Sequence, residues 1–241
     1  THTDQEEAAR ALSKYDFLAL PVVDAEERLV GIVTVDDAID VIQEEATEDI
    51  EKMAAMAPSD KPYMKTNVLD TWKKRVPWLL FLMISGTFTS AIINSFEDAL
   101  AASVVLTGFI PMLMDTGGNS GSQSSITIIR GLSLGEIRYA DVPRILLKES
   151  SVALLCGCTL AVANFIKLMV VDRVGLLVAG VVCLTLLMVV LVANIVGSTL
   201  PILAKRLGFD PTVMASPLIT TIVDAVSLVI YFNVAKALLG I

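Results

Sequence analysis

The sequence predicts a mainly α-helical protein: a small acidic α/β head, a long acidic helix, and a membrane domain of five helical spans. Three observations carry that expectation. Hydrophobic residues fill 54% of the 241 positions and the mean hydropathy is +0.70, above the ~45–50% apolar content of soluble domains. Charge is segregated: residues 1–72 hold 17 acidic and 6 basic side chains, net −11, and the rest hold 9 and 12, net +3. Finally, apolar stretches near the ~20 residues needed to cross a ~30 Å hydrocarbon core recur five times after residue 76. The expected division is 1–40 for the α/β head, 41–57 for the acidic helix, 58–75 for a linker into the membrane and 76–241 for the spans.

Taken in order, DQEEAARALSKYD has helical spacing, FLALPVV is a short buried-strand run, DAEER is a turn and LVGIVTV is a second strand. DDAIDVIQEEATEDIEKMAAM then reads as a helix, with Ile39, Ile42, Ala46, Ile50 and Met53 at three- and four-residue intervals and Asp36 as its N-cap. Two short strands do not make a core alone, so this order is expected to be half of a larger module. The spans are placed at 77–97, 100–130, 146–170, 175–204 and 211–239, with Trp72 and Trp78 at interfacial depth. With the head cytoplasmic, nine Lys or Arg face inward (Lys73, Lys74, Arg75, Arg130, Arg138, Arg144, Lys148, Lys205, Arg206). Three face outward (Lys167, Arg173, Lys236), which satisfies the positive-inside rule and puts the C-terminus outside.

The second span contains TGGNSGSQSS, a run without one large apolar side chain. Pro111 and the glycines Gly117, Gly118 and Gly121 are expected to break the helix around Asn119 and Ser120. Irregular backbone at membrane depth is tolerated only against protein or a water-filled cavity. Small residues four apart are also ordinary glue between membrane helices, which accounts for Gly117 and Gly121. It leaves Asn119, Ser122, Gln123, Ser124 and Ser125 unexplained, and these suit a lining for water and ions.

Asp224 lies near the middle of the last span, where a carboxylate costs about 2.5–3.5 kcal/mol and so faces water, a partner or an ion. Thr220 shares its helix face at i−4. The plain alternative is a protonated carboxyl bonded to another helix, with Asn194 as a candidate partner; Asn194 could equally join the lining. Asp115 stands at a mouth of the same path. Asp210, before a proline, reads as a helix cap, and Glu97, Asp98 and Asp172 as loop acids. A carboxylate with hydroxyls and carbonyls is an all-oxygen set, suited to Mg2+ or Ca2+ rather than Zn2+ or Cu+. One Asp per chain is weak for a divalent ion and two about a two-fold axis are adequate, so a homodimer with an axial pore is expected. Cys156, Cys158 and Cys183 lie in apolar helices and behave as small hydrophobes. The acidic head argues against nucleic acid as a partner. With His2 the sole histidine and no nucleophile–base arrangement, the chain does not read as an enzyme.

GIVTVDDAIDVIQEEATEDIEKM, PMLMDTGGNSGSQSSITIIRGL, LLKE and SPLITTIVD together resemble the MgtE family of bacterial magnesium channels, from about residue 3 to the end. The opening resembles the second half of a CBS motif. The resemblance implies a homodimer in the plasma (inner) membrane, five spans per protomer and a pore lined by the second and fifth. Asp224 matches the carboxylate that binds hydrated Mg2+, Gly118 and Asp115 match positions lending backbone carbonyls, and Thr220 matches another contact. Ser122 and Ser216 stand where the family usually has Asn. The helix after the CBS motif matches a plug whose acids bind regulatory Mg2+; the matching residues are Asp37, Asp40, Glu45, Glu48 and Asp49. Independently of the resemblance, Asp37, Asp40, Glu44 and Glu48 sit three or four apart on one face, where like charges repel and bridging cations bring relief. CBS modules often bind adenosine nucleotides through T-x-x-D, which Thr34 and Asp37 match, making ATP the candidate ligand there. The function expected is a Mg2+-selective channel closed by cytosolic Mg2+, open in principle to other divalent cations. The alternative is a cation-coupled carrier using the same Asp224 site.

Overall fold

The computed structural model describes residues 2–59, 61–97, 101 and 103–240. Asp98 lies outside them. The head comprises α1 (Gln5–Tyr15), the antiparallel strands β1 (Ala19–Val23) and β2 (Leu29–Thr34), and α2 (Val35–Met53). Ala19 pairs with Thr34 and Val22 with Gly31, and the register shifts at Val22/Val23. Asp24 closes the turn by accepting from the backbone N–H groups of Glu26 and Arg28 at 3.0 and 2.9 Å. The head's buried cluster is small: Ala9, Leu12 and Ala38, flanked by Leu20, Val33 and Val41.

One expectation for α2 is corrected. Asp36 is not its N-cap; Thr34 is, and Asp37 completes a capping box by accepting from the Thr34 backbone N–H (3.0 Å) and hydroxyl (2.6 Å). The helix read from the isoleucine spacing is present, and its inward face is a different one. Ala38 and Val41 meet α1 and the sheet, while Ile39, Ile42 and Ile50 stay exposed. Small side chains let α2 approach α1 closely, so the helix rotates away from the stripe that hydrophobicity alone selects.

Five long helices follow: α3 (Val68–Ser95), α4 (Ile110–Ser133), α5 (Val142–Lys167), α6 (Leu176–Arg206) and α7 (Ser216–Leu239). Four of them, α3, α5, α6 and α7, are long and apolar enough to cross a membrane. The second expected span corresponds to α4, which the polar run leaves below that level of hydropathy. The run does not break the helix: α4 is continuous through Gly117, Gly118 and Gly121, contrary to expectation. Glycine loosens a helix only where solvent competes for its backbone, and these three are buried.

α6 is the centre of the bundle and packs along α4, α5 and α7. The main core joins Leu106, Leu113, Val182, Leu186, Leu228 and Tyr231, and the Tyr231 hydroxyl donates to the Leu106 carbonyl at 2.8 Å. α3 has no buried residue and meets the bundle near its end, where Phe96 stacks on Phe232 with ring centroids 4.6 Å apart. α4 and α6 meet backbone to backbone: a Cβ on Gly197 would lie 2.2 Å from the Gly121 carbonyl oxygen. Neither element gives way there, since the obstacle is main chain. Gly197→Ala is therefore expected to destabilise the protein by about 1–3 kcal/mol through overpacking, despite alanine's better helix propensity. Thermal unfolding in detergent checks this against Gly180→Ala, whose added Cβ meets nothing within 4 Å and which should not lower the midpoint.

Candidate functional site

α4 has two faces. Gly117, Gly118, Gly121, Ser122, Ser124 and Ser125 are buried, whereas Asp115, Asn119 and Gln123, spaced four apart, form an exposed polar stripe. The Asn119 side-chain amide donates to Asp115 Oδ2 at 3.2 Å. The buried side is a seam of hydroxyls and close contacts. Ser216 donates to the Ser122 hydroxyl oxygen (3.0 Å), Ser125 donates to the Met214 carbonyl (2.9 Å), and Thr220 donates to its own helix at the Ser216 carbonyl (2.8 Å). Gly118 lies against Thr220, where a Cβ would come 2.9 Å from Cγ2.

Asp224 stands one turn beyond Thr220 on α7, half-buried. Its Oδ1 is shielded and has no hydrogen-bond partner among the described residues, and the Asp115 charge is within electrostatic reach. A buried carboxylate oxygen left unpaired by the protein is costly, and no helix among the described residues bonds this one. The structure thus brings Asp115, Gly118, Ser122, Ser216, Thr220 and Asp224 together along the α4–α7 seam.

Two further expected lining residues, Asn194 and Gly117, contact protein within the chain. Asn194 is not bonded to Asp224; it is buried between α6 and α4, and its Oδ1 accepts from the Ser120 hydroxyl at 2.8 Å. Gly117 faces Val189, Val223 and Ser227 in the packed interior, not an open lumen. Sequence reasoning missed Glu149 of α5, whose Oε2 accepts from the Ser124 hydroxyl at 2.7 Å and ties three helices around Asn194. Its signal was an acid near the start of a span, overshadowed by the neighbouring Lys148.

In the head, Asp40, Glu44, Glu45, Glu48 and Glu51 line a cleft of about 500 Å3 bordered by Gln5, Pro58, Ser59, Lys61 and Pro62. Gln5 donates to Glu45 at 2.9 Å and the Ser59 backbone N–H donates to Glu51 at 2.6 Å. Among the described residues, no three His, Cys, Asp or Glu side chains converge as a direct metal-ligand set. Asp37 is engaged by Thr34, whose hydroxyl and backbone N–H hold its carboxyl below the usual range. Thr34 and Asp37, the T-x-x-D pair, together form this helix cap.

The second residue missed is Lys52. Its ammonium bridges Glu48 on its own helix and Asp210, 2.7 Å away in the turn between α6 and α7. Asp210 is also the cap foreseen from sequence, accepting from the Thr212 backbone N–H (2.9 Å) and hydroxyl (2.6 Å). Partial burial pushes the Asp210 carboxyl up, but Lys52 and Thr212 outweigh it and the net shift is downward. Burial likewise disfavours the Lys52 cation, and its bonds to Asp210 and Glu48 reverse that, raising it. Asp49, beside them, moves upward through burial first and the Asp210 charge second.

A family model described as a divalent cation transporter, MgtE, matches residues 110–234, and a CBS domain model matches residues 1–44. A magnesium transporter MgtE of Thermus thermophilus is 45% identical over 99% of this chain and 53% of its own length. Proteins of the same name from Bacillus subtilis and Enterococcus faecalis are 39% and 37% identical, each over 97% of this chain and 51% of their own length. The chain spans about half the length of the curated relatives it matches.

The head-to-bundle tie has a defined pH window. Asp210's depressed carboxyl contributes stability that is present above its ordinary 3.8 and is lost as pH falls. Lys52's raised ammonium contributes below its ordinary 10.5 and is lost as pH rises. Asp49 acts oppositely, weakening the contact as it ionises above 3.8. At pH 7, Lys52→Met and Asp210→Asn are each expected to speed amide exchange over residues 48–56, with the double variant no faster than either single one. Global stability should fall by at most about 1 kcal/mol, because both side chains are partly exposed.

Proposed function

The chain belongs to the MgtE family of divalent cation transporters, and from that premise we propose that it forms a Mg2+-selective channel, closed when Mg2+ binds its acidic head. The family transports ions and is not a family of enzymes. The observation that carries the reading is Asp224: a carboxylate in a membrane-length helix, with one oxygen unpartnered, beside Gly118, Thr220 and Asp115. An isolated carboxylate suits an ion that keeps much of its water, as Mg2+ does.

The exposed stripe Asp115–Asn119–Gln123 supports α4 as a fifth span on a dimer axis. Polar side chains at bilayer depth need water or protein cover, and a two-fold copy facing this stripe supplies both. It would also bring two Asp224 carboxylates toward one path. Gly118, Ser122, Ser216 and Thr220 line the approach; Gly117 and Asn194 hold α4 in place from behind. The positive-inside count supports a cytoplasmic head.

Regulation follows from the acidic cleft. Asp40, Glu45 and Glu48, with Asp37 and Asp49 flanking, repel one another, and Mg2+ relieves that repulsion in whichever arrangement gathers them most closely. Lys52 already holds α2 against the α6–α7 turn, so cation binding in the cleft adds to an existing contact.

Mg2+ flux in proteoliposomes tests the whole reading. Asp224→Asn is expected to cut flux by roughly tenfold or more, about 1.4 kcal/mol of lost ion stabilisation. Raising head-side Mg2+ should close the parent, and Asp40→Asn with Glu45→Gln should shift closure to higher Mg2+. Unchanged flux in Asp224→Asn would make that carboxylate structural. Flux that requires a proton or sodium gradient would favour the coupled carrier instead.

A further inference from the structure

The stretch that joins head and bundle differs from both in charge. Between Lys61 and Arg75 there are five basic residues, Lys61, Lys65, Lys73, Lys74 and Arg75, and one described acid, Asp70. Lys74 is used internally, donating to the Pro58 carbonyl at 2.5 Å. Lys61, Lys65, Lys73 and Arg75 are exposed and have no ion-pair partner among the described residues.

The same stretch exposes its apolar side chains. A single 3-10 turn, Tyr63–Lys65, is fixed by the Lys65 backbone N–H on the Pro62 carbonyl and by the Thr66 hydroxyl on that same carbonyl at 3.2 Å. It presents Tyr63 at 79% and Met64 at 90% exposure, with Trp72 at 56% on the first turns of α3. Between turn and helix lies a cavity of about 540 Å3 lined by Tyr63, Met64, Thr66, Trp72, Arg75 and Leu79. The face of α3 that lines it continues to Met83, one turn beyond Leu79 and exposed.

Charge complementarity and this continuity select the occupant. An Arg guanidinium offers a fork of donors matched to a phosphate. Trp and Tyr rings favour headgroup depth, and basic side chains beside a membrane are drawn to anionic lipid. A soluble anion would use the basic wall and leave the apolar rim unfilled. A molecule with a phosphate at one end and a hydrocarbon tail at the other uses both.

We propose that residues 61–79 form a binding site for an anionic glycerophospholipid. Arg75 holds the headgroup phosphate beside Trp72, Lys65 and Lys73 add to the attraction, and an acyl chain runs past Leu79 along α3. The site lies between the acidic head and the first span, so the lipid would hold the angle at which α2 is carried over the bundle. This rests on the reading that α3 crosses the membrane.

Native mass spectrometry of the purified full chain tests it, comparing retention of phosphatidylglycerol and phosphatidylcholine with matched acyl chains. Phosphatidylglycerol is expected to be retained about fivefold more, the factor one basic side chain contributes beside an anionic lipid. Arg75→Gln should sharply reduce the preference for phosphatidylglycerol, while Arg144→Gln, outside the cavity, should preserve it. Equal retention in the parent, or a preference untouched by Arg75→Gln, overturns the proposal. Displacement of phosphatidylglycerol by millimolar inorganic phosphate also overturns it, making this a free-anion site. A shift in oligomeric state with Arg75→Gln and no lipid preference would assign the groove to a protein partner instead. Flotation of the chain with vesicles separates these failures from failure of the membrane reading, in which the chain would not co-float at all.

Discussion

The bundle depends on one steric fact: main chain meets main chain where Gly197 of α6 faces Gly121 of α4. That contact sets both the separation and the rotation of α4. With Gly117, Gly118 and Gly121 turned inward, the residues four apart on the other side, Asp115, Asn119 and Gln123, have to face outward. The glycines and the polar side chains of the same run therefore serve different ends. The first group makes close packing possible, and the second is the polar face that such packing leaves over. Helix packing and a polar lining, which compete as explanations of the run, are two sides of one helix.

The head is attached by different physics. Its own core is three buried residues, Ala9, Leu12 and Ala38, too few to make a stable unit in isolation. Its long helix instead reaches the bundle through a partly screened ion pair, Lys52 with Asp210. Such contacts are weak and sensitive to surrounding charge, whereas the glycine seam is stiff. The bundle is thus held by close main-chain packing, and the acidic arm by a contact that surrounding charge can weaken.

Local pattern was legible in the residues. The order of helices and strands, the Asp210 cap and the unusual status of Asp224 all follow from spacing and from the expense of charge in hydrocarbon. What was not legible depended on which neighbour each residue meets. Asn194 could have reached Asp224 or the lining, and only the approach of α4 decided for Ser120. Ile39, Ile42 and Ile50 have helical spacing but lost the inward position to Ala38, because small side chains allow the closer packing. The glycines read as a break because propensity treats each residue as if in water, and burial removed that competition. Lys52 drew no notice among so many acids, since its partner is 158 residues away.

That separation also orders events in time. Asp210 is synthesised long after α2, and at ~5–20 residues per second the interval is on the order of ten to thirty seconds. Throughout it, the arm bears its acids with no bundle to rest on. Its docking waits until the turn before α7 is made. The head is thus unfastened while α3 to α6 are synthesised, and the junction closes as α7 is about to emerge.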